Sequence, residues 1–344
     1  MEFTMSGRLE VRLTPADVGK RVSVRCVVGT PAEGARLTDT VGVLTSWDGG
    51  VLSVTTRSGE GVRIAESSLV AGKTVPPAPA RRRGPAASFA ELALVTARAW
   101  QPVESELLGE WRLRAAGGFT RRANSVLPLG DPGLPLGEAL GRVRRWYAER
   151  GLPARVQTAT GAEGTQERLC AGLEEHGWRR EVTAEVRIAA LAPVGDLDPD
   201  VSAVRTGRET DDAWLSRYQR SGTPGPHVLK VLGSGPSVWF ASVPGDGPDG
   251  TPAAIGRCVV DGRWAGFMAV EVGPEYRRRG LATAVMTALA RRALEEGASA
   301  AWLQMEADNE GARALYDGMG FTTHHRYHHF RPGGGNSSRD TDST

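Results

Sequence analysis

The sequence has few cysteines and no long apolar run. Its three cysteines, Cys26, Cys170 and Cys258, lie far apart in 344 residues, which excludes a disulfide framework and a zinc site of regular spacing. No stretch approaches the roughly 18 uninterrupted apolar residues that a membrane helix needs. The first residues also lack the basic and then apolar pattern of a signal peptide. We therefore expect a cytoplasmic protein that does not enter a membrane.

Lysine is scarce as well. Only Lys20, Lys73 and Lys230 contribute to the 42 basic residues, so nearly all positive charge is arginine. Together with 44 glycines and 21 prolines, this bias is typical of a GC-rich genome, and it explains most of the arginines. The net charge of +2 excludes a chain that binds nucleic acid through its overall charge. An arginine is therefore informative here by its position.

Composition divides the chain into five segments. Residues 8–74 contain short alternating strands joined by Asp-Gly and Gly-Gly turns, which predict a small all-β SH3-like barrel. A linker rich in proline and arginine follows at 75–87. Two domains are expected at 88–192 and 200–331, and the polar tail at 332–344 is expected to be disordered. The prediction is a multidomain protein.

The two domains after the linker repeat one order of elements: a strand pair, a helix, a strand, a helix and a strand. In the second domain the predicted elements are strands 254–260 and 264–272, helix 280–296, strand 301–306, helix 310–319 and a strand from Phe321. In the first domain they are strands 110–114 and 120–128, helix 136–150, strand 154–158, helix 166–176 and a strand from Trp178. The repeat predicts two copies of one α/β unit with mixed sheets.

The stretch 270–283 joins a strand to a helix that begins at a glycine. Arg277, Gly280 and Ala282 have an Arg-x-x-Gly-x-Ala spacing, in which small residues let a ligand approach the backbone. Free N–H groups of the first helical turn and adjacent arginines favour phosphate groups. The glycine pattern of a dinucleotide site and the Gly-Lys-Ser/Thr ending of a nucleotide loop are both absent. The stretch predicts a pyrophosphate site, with a basic strand-to-helix turn as the structural alternative.

A second motif follows the next strand. Asn309 precedes a helix, Tyr316 lies within it, and Gly320 ends it before Phe321. Together, the two motifs resemble those of the GNAT superfamily of N-acetyltransferases, over residues 200–332. In that family the first motif binds the pyrophosphate of acetyl-CoA, and the second binds the pantetheine arm and supplies a general acid. The resemblance implies an acyltransferase that uses acetyl-CoA as cosubstrate, needs no metal, and acetylates a primary amine of a small molecule or a protein.

The resemblance also assigns roles to residues of this chain. The cofactor-binding residues are Val270, Glu271, Val272, Arg277, Arg278, Arg279, Gly280, Leu281, Ala282, Thr283, Asn309 and Tyr316. Tyr316 would give a proton to the leaving thiolate, with a core aromatic as the structural alternative. Some relatives carry glutamate where Gln304 stands, so the base is left open between Glu306, Glu271 and a water-mediated route.

The first copy lacks these features. Its loop 130–137 has prolines and no arginine, and Leu173 takes the position of Tyr316. We expect it to keep the fold without the site, and to complete a shared sheet or to form a wall of the acceptor cleft. Arg121, Arg122 and Asn124 are candidates for lining that cleft, with a solvated strand face as the alternative. The arrangement resembles actinobacterial proteins labelled N-acetylglutamate-synthase-like or histone-acetyltransferase-like, and these labels conflict.

Two other functions stay open. The chain could be an acyl-CoA sensor in which the barrel or the first copy contacts a partner. Alternatively, the barrel and Arg81–Arg83 could form a nucleic-acid-binding arm that directs acetylation to lysines of DNA-bound proteins. The loop 221–226 is a candidate acceptor loop, or an ordinary turn. Alternation separates the pair His324 and His328 from the pair His325 and His329, so no metal site is expected.

Overall fold

The computed structural model describes residues 10–28, 36–76, 84–218, 225–247 and 250–333. Contacts divide the chain into two compact units, one made of residues 1–81 and 158–172 and the other of residues 82–157 and 173–344. Arg81–Arg83, most of the loop 221–226 and the tail beyond Gly333 lie outside the described residues. Within the described ranges, no helix is long and apolar enough to cross a membrane.

The first unit contains a five-stranded antiparallel sheet. Its strands are β1 (Arg21–Val28), β2 (Arg36–Asp48), β3 (Val51–Thr56), β4 (Gly61–Ala65) and β5 (Leu69–Thr74), in the order β4-β3-β2-β1-β5. Alternation along β1 sends Val22, Val24 and Cys26 into one core with Leu44 and Leu52. In this order β4 and β5 are the edges and the sheet is open. Closure into an SH3-like barrel stays a prediction.

The rest of the described chain is α/β. Its helices are α1 (Phe89–Arg98), α2 (Leu136–Ala148), α3 (Glu167–Glu175), α4 (Ala192–Gly195), α5 (Asp212–Arg217), α6 (Pro226–Leu232), α7 (Leu281–Glu295) and α8 (Glu310–Gly318). Its strands are β6 (Glu104–Leu108), β7 (Trp111–Ala115), β8 (Leu127–Pro128), β9 (Val156–Thr160), β10 (Trp178–Ala190), β11 (Arg205–Gly207), β12 (Ser237–Val243), β13 (Ala254–Asp261), β14 (Trp264–Val272), β15 (Ala300–Glu306) and β16 (Thr322–Pro332). The division between the two units falls within β9 and α3.

The two sequence repeats exchange their last strands. Eight strands form one sheet in the order β11-β12-β13-β14-β15-β10-β16-β9. Strand β10, the last of the first repeat, pairs with β15 of the second, and β16, the last of the second, lies beside β9 of the first. The two exchanged strands pair with each other from Trp178↔Pro332 to Ile188↔Thr322. The repeats therefore share one sheet, in which each completes the other.

One predicted strand is wrong over most of its length. Of the strand predicted at 120–128, only Leu127 and Pro128 are in a strand, and residues 121–124 form a turn. The buried side chain of Asn124 stabilises this turn, because its Oδ1 accepts from the N–H groups of Ala116 and Gly118 and its Nδ2 donates to the carbonyls of Phe119 and Thr120. The remaining predicted elements of the two repeats are present within a few residues.

Helices α7 and α8 cover one face of the shared sheet at its centre. Val285 and Leu289 of α7 enter a core with Phe267, Leu303 and Met305. Close packing of α7 requires a glycine on β13, because a Cβ at Gly256 would lie 2.4 Å from Cγ1 of Val285. Both loops that carry the sequence motifs leave the sheet beside these helices.

Candidate active site

The parallel strands β14 and β15 pair only over their first halves. Their ladder runs from Trp264↔Ala300 to Phe267↔Leu303. Beyond it, β14 continues with partners on β13 (Ile255↔Glu271), and β15 continues with partners on β10 (Ala184↔Glu306). The two strands therefore separate towards their carboxyl ends, and the opening lies between Val270–Val272 and Gln304–Glu306.

A bulge in β14 starts this separation. Between Ile255 and Arg257 of β13 the register shifts by one extra residue on β14. Ala269, at the bulge, has φ of 51°, a left-handed conformation that is unfavourable for a residue with a Cβ. Such a conformation persists only where the surrounding structure determines it, and it is common at ligand-binding sites.

The predicted phosphate loop joins β14 to α7. Arg278 and Gly280 both have left-handed backbones, with φ of 61° and 76°, whereas Arg277 has φ of −64°. Left-handed residues of this kind turn the backbone sharply, and the N–H groups of such turns can form a concavity that binds anions. Gly280 is the N-cap of α7 and has open space around a would-be Cβ, so the first-turn N–H groups of Leu281, Ala282 and Thr283 are not covered by a capping side chain.

Arg217, which sequence analysis missed, holds the turn that precedes this loop. Its Nε donates to the carbonyl of Pro252 at 2.6 Å, and its Nη2 lies 3.2 Å from Oε1 of Glu275. The phenol oxygen of Tyr276 accepts from the N–H of Asp246 at 2.8 Å, and Arg279 lies over the Tyr276 ring. Because these contacts join residues distant in sequence, the local pattern gave no sign of them.

The second motif forms the helix α8 beside the opening. The side-chain oxygen of Asn309 caps this helix by accepting from the N–H of Ala312 at 3.0 Å. Tyr316 is half-buried against the central core, edge-on to Phe321 with ring centroids 5.9 Å apart. The structure therefore places both predicted residues on one helix at the carboxyl end of β15.

Two charged residues of β10 anchor α8, and sequence analysis missed both. Buried Glu185 accepts from Arg313 of α8 at 3.2 and 3.0 Å, and Arg313 also donates to the carbonyl of Ala307 at 2.6 Å. Arg187 donates to Asp317 and, at 2.8 Å, to the carbonyl of Phe321. Burial raises the pKa of Glu185, but hydrogen bonds from Thr323 and Arg313 outweigh it, so the pKa lies below its ordinary value.

The face of the sheet opposite α7 and α8 carries the candidate base Glu306. Leu303 and Met305 point into the helix-covered core, so Gln304 and Glu306 lie on the other face. Arg121 of the first repeat contacts Glu306, with Nη1 3.1 Å from Oε1, and Arg122 donates to the side-chain oxygen of Gln304. The predicted cleft arginines therefore reach the end of β15.

The other candidate base, Glu271, lies half-buried on β14, between Val270 and Val272, which pack against the helix-covered core. The predicted site residues thus form three groups: the end of β14, the loop into α7, and β15 with α8. All three meet at the carboxyl end of the parallel pair. In α/β sheets this is where ligands bind.

Three of the four histidines of β16, His325, His328 and His329, are buried within the sheet. Burial lowers the pKa of His325 and of His328 to about 3 in each case. His329 is 2% exposed, and its two ring nitrogens have no hydrogen-bond partner among the residues that the structure describes. Within the described part of the chain, no cluster of histidine, cysteine and carboxylate side chains has the arrangement of a metal site.

Comparison with known proteins relates this chain to an enzyme family. The family model described as "Probable histone acetyltransferase Rv0428c C-terminal" matches residues 87–330. A relative from Mycobacterium tuberculosis, named "Probable histone acetyltransferase Rv0428c", is 28% identical over 317 residues, which cover 90% of this chain and 93% of the relative.

Two solved structures share the fold. A GCN5-related N-acetyltransferase from Kribbella flavida has a TM-score of 0.52 at 17% identity, and the match covers 73% of this chain and 98% of that structure. A tandem GNAT protein from the clavulanic acid biosynthesis pathway has a TM-score of 0.53 at 15% identity, and the match covers 72% of this chain and 89% of that structure. These likenesses confirm the predicted α/β GNAT fold.

Proposed function

Because the chain belongs to the Rv0428c C-terminal family and is an N-acetyltransferase with the GNAT fold, we propose that it transfers the acetyl group of acetyl-CoA to a primary amine. One observation carries the proposal: β14 and β15 separate beside the uncapped N-terminus of α7, where two residues with left-handed backbones precede the helix. A thioester arm fits an opening between strands, and a pyrophosphate fits the N–H groups at its mouth.

The loop from Arg277 to Thr283 is proposed to bind the pyrophosphate. Arg277, Arg278 and Arg279 are exposed and so can contribute charge-assisted hydrogen bonds. The open space at Gly280 leaves room for phosphate oxygens beside the backbone. Val270–Val272 would offer backbone groups to the pantetheine arm, and Asn309 would contact it from the start of α8.

The reaction needs a base, an acid and a polarised carbonyl. The amine loses a proton to Glu306, Glu271 or water, and its lone pair attacks the thioester carbon. The C–S bond then breaks, and Tyr316 donates its proton to the CoA thiolate as it leaves. A positioned general acid contributes about 10²–10⁴-fold to the rate. Backbone N–H groups of the separated part of β14 would stabilise the developing oxyanion.

Two separate measurements test the proposal: the release of free CoA thiol during acetyl transfer, and the binding of acetyl-CoA. Tyr316→Phe should lower kcat about 100-fold or more while acetyl-CoA still binds, because only the acidic proton is lost. Tyr147→Phe is the matched control. It removes a buried hydroxyl group in the first repeat, which donates a hydrogen bond to the carbonyl of Arg114 at 2.8 Å. Unchanged turnover in Tyr316→Phe would remove the tyrosine from the mechanism, and failure to bind acetyl-CoA would refute the function itself.

The remaining features of the proposal concern the whole chain. We propose that it comprises an SH3-like barrel at 8–74, a linker at 75–87, a degenerate GNAT-like domain at 88–192 without the phosphate loop and the acid, a catalytic GNAT domain at 200–331 and a tail at 332–344. Two features support the proposal that the first repeat is not catalytic. The loop 130–137 has no arginine, and the buried Leu173 stands in place of Tyr316. We also propose a cytoplasmic location and no resident metal.

Acetylation of lysines in DNA-bound proteins is the second candidate, because the Mycobacterium tuberculosis relative is named a probable histone acetyltransferase. It requires DNA binding that weakens steeply with salt and disappears on deletion of residues 1–87. A binding constant independent of salt would refute this targeting role and leave the acetyl transfer untouched.

A further inference from the structure

The turn at residues 121–124 is rigid and presents two arginines to the active-site face. Asn124 is 1% exposed and makes four hydrogen bonds to the backbone around this turn. Thr120 has a left-handed backbone with φ of 56°, and its hydroxyl accepts from the indole of buried Trp100 at 2.9 Å. Arginines that project from a turn held this way lose less conformational freedom when they bind a ligand than arginines on a mobile loop.

Positive charge accumulates next to this turn. Arg122 and Arg257 lie over the ring of Trp100, at 4.8 and 5.1 Å from its centroid. Among the described residues neither has a carboxylate partner: Arg122 donates to the amide of Gln304, and Arg257 donates to the carbonyls of Leu232 and Ala99. Burial, together with the charge of Arg122, lowers the pKa of Arg257 to about 9.

The nearby His329 experiences the same field. Burial holds its pKa well below the ordinary value, and the charges of four arginines act in the same direction: Arg114, Arg121, Arg155 and Arg122. Arg155 is paired with Glu181 at 2.7 Å, and Arg114 donates to neutral partners only. The face of the sheet beside β15 therefore has an excess of positive charge.

The candidate base Glu306 lies beside this positive charge, at the carboxyl end of β15. Glu306 is 46% exposed on its side chain and is oriented by Arg121, whereas Arg122 lies one residue further along the turn and contacts Gln304. A carboxylate suits an ammonium group, and a guanidinium suits a carboxylate or phosphate. An amine that also carries an acid group would satisfy both.

From this charge arrangement, and resting on the proposed function, we propose that the acceptor is a small amine bearing a carboxylate or phosphate. Arg122 binds its acid group, and Glu306, oriented by Arg121, faces its amino group. The same charges disfavour polyamines and lysine-rich peptides, because a second cation would meet Arg122, and the charge of buried Arg257 lies behind it. Arg122 and Glu306 thus select the class of acceptor.

Matched acceptor pairs test this selection by thiol release. β-Alanine is compared with its amide, and O-phosphoethanolamine with ethanolamine, so that carboxylate and phosphate are tested separately. A lysine peptide and spermidine represent cationic acceptors. We expect at least one acid member to have kcat/KM tenfold or more above its neutral partner and above both cationic acceptors. A neutral or cationic acceptor that performs as well as both acids would overturn the proposal.

Substitution of Arg122 identifies the residue responsible. Arg122→Gln should raise KM for the preferred acid about 10- to 100-fold, the effect expected for a lost charge-assisted hydrogen bond, and should leave its neutral partner unchanged. Arg122→Lys, which keeps the charge, should show a smaller rise and guards against a folding defect. Arg145→Gln, at an exposed arginine of α2, is the control. An equal loss on acid and neutral members would refute the role of Arg122.

Binding measurements separate this inference from the proposed function. Calorimetry with acetyl-CoA reports on the function alone. If no amine in the panel is acetylated, the same pairs are titrated into the CoA-bound protein, where the acid members should bind and their neutral partners should not. If acetyl-CoA binds and the acid members bind no better than the neutral ones, only the acceptor class is refuted.

Discussion

Glu185 on β10 accepts two hydrogen bonds from Arg313 on α8, and so a strand of the first repeat holds the helix that carries Tyr316. Glu185 is 1% exposed and also accepts from Thr323 and Arg326. A carboxylate buried this deeply is stable only because all its partners are present. The first repeat therefore contributes to the site through contacts that position its parts.

We expect Glu185→Gln to change the acid stability of the protein. The pKa of Glu185 lies below its ordinary value of 4.5, so its contribution to stability is present above that value and is lost as pH falls through the folded-state pKa. The variant should be less stable by about 1–3 kcal/mol at pH 7, and its stability should fall less steeply below pH 4.5. Urea unfolding at several pH values measures both effects. Parallel curves for wild type and variant would contradict the assignment.

Arg187→Met should loosen the attachment of α8 to the sheet at the C-terminal end of the helix. The variant loses the bonds to Asp317 and to the carbonyl of Phe321, leaving that carbonyl buried and unpaired, which costs about 1–3 kcal/mol. We expect kcat to fall with acetyl-CoA affinity largely kept, because the phosphate loop is on a different helix. Arg179→Met, at an exposed position of the same strand, should change stability by about 0.5 kcal/mol or less. If Arg179→Met lowered stability and kcat as much as Arg187→Met, Arg187 would not be a specific anchor of α8.

Gly280→Ala should weaken acetyl-CoA binding beyond its effect on stability. Gly297, just after the other end of α7, is a matched control, because both glycines have left-handed backbones (φ of 76° and 88°) and open space around a would-be Cβ. Each alanine should cost about 1–2 kcal/mol of stability through backbone strain. Calorimetric titration with acetyl-CoA should show a lower affinity for Gly280→Ala than for Gly297→Ala, since only Gly280 lies in the phosphate loop. Equal affinities would place the pyrophosphate elsewhere.

The buried histidines of β16 should make the protein lose stability in mild acid. His325 and His328 have pKa values of about 3 in the folded protein and about 6.5 when unfolded, so the unfolded chain binds more protons between these limits. Each therefore lowers stability by about 1.4 kcal/mol per pH unit well below pH 6.5. His325→Phe, which keeps an aromatic ring beside Phe89, should reduce the slope by that amount between about pH 6 and 4. A slope like that of the wild type would mean that His325 is protonated in the folded state.

The sequence predicted what local patterns encode. Apolar runs and helical periodicity located β14, α7, β15 and α8, and the glycine and asparagine signals marked where the helices begin. The exchange of β10 and β16 could not be predicted in this way, because the choice of partner strand depends on the assembled sheet. The turn at Asn124 was missed for a related reason, since its stability comes from bonds of one buried side chain to a loop.

Side-chain contacts between residues distant in sequence also could not be predicted from local patterns. Nothing near Arg217, Glu185 or Arg187 distinguishes them among the many charged residues, and their partners lie 58, 128 and 130 positions away. Arg121 and Arg122 were recognised as cleft candidates, but their contacts with Glu306 and Gln304 depend on how the first repeat packs on the sheet.

The position of β16 has a consequence for biosynthesis. This strand follows β10 and β9 in sequence and separates them in the sheet, so both stay without it until residues 322–332 have left the ribosome. Unpaired strand edges are templates for association with another chain. A product terminated after α8 would therefore expose β9 and β10 and tend to associate with a second copy. The nascent chain therefore acquires this eight-stranded sheet only after β16 has been synthesised, and acetyl transfer depends on a chain that includes this strand.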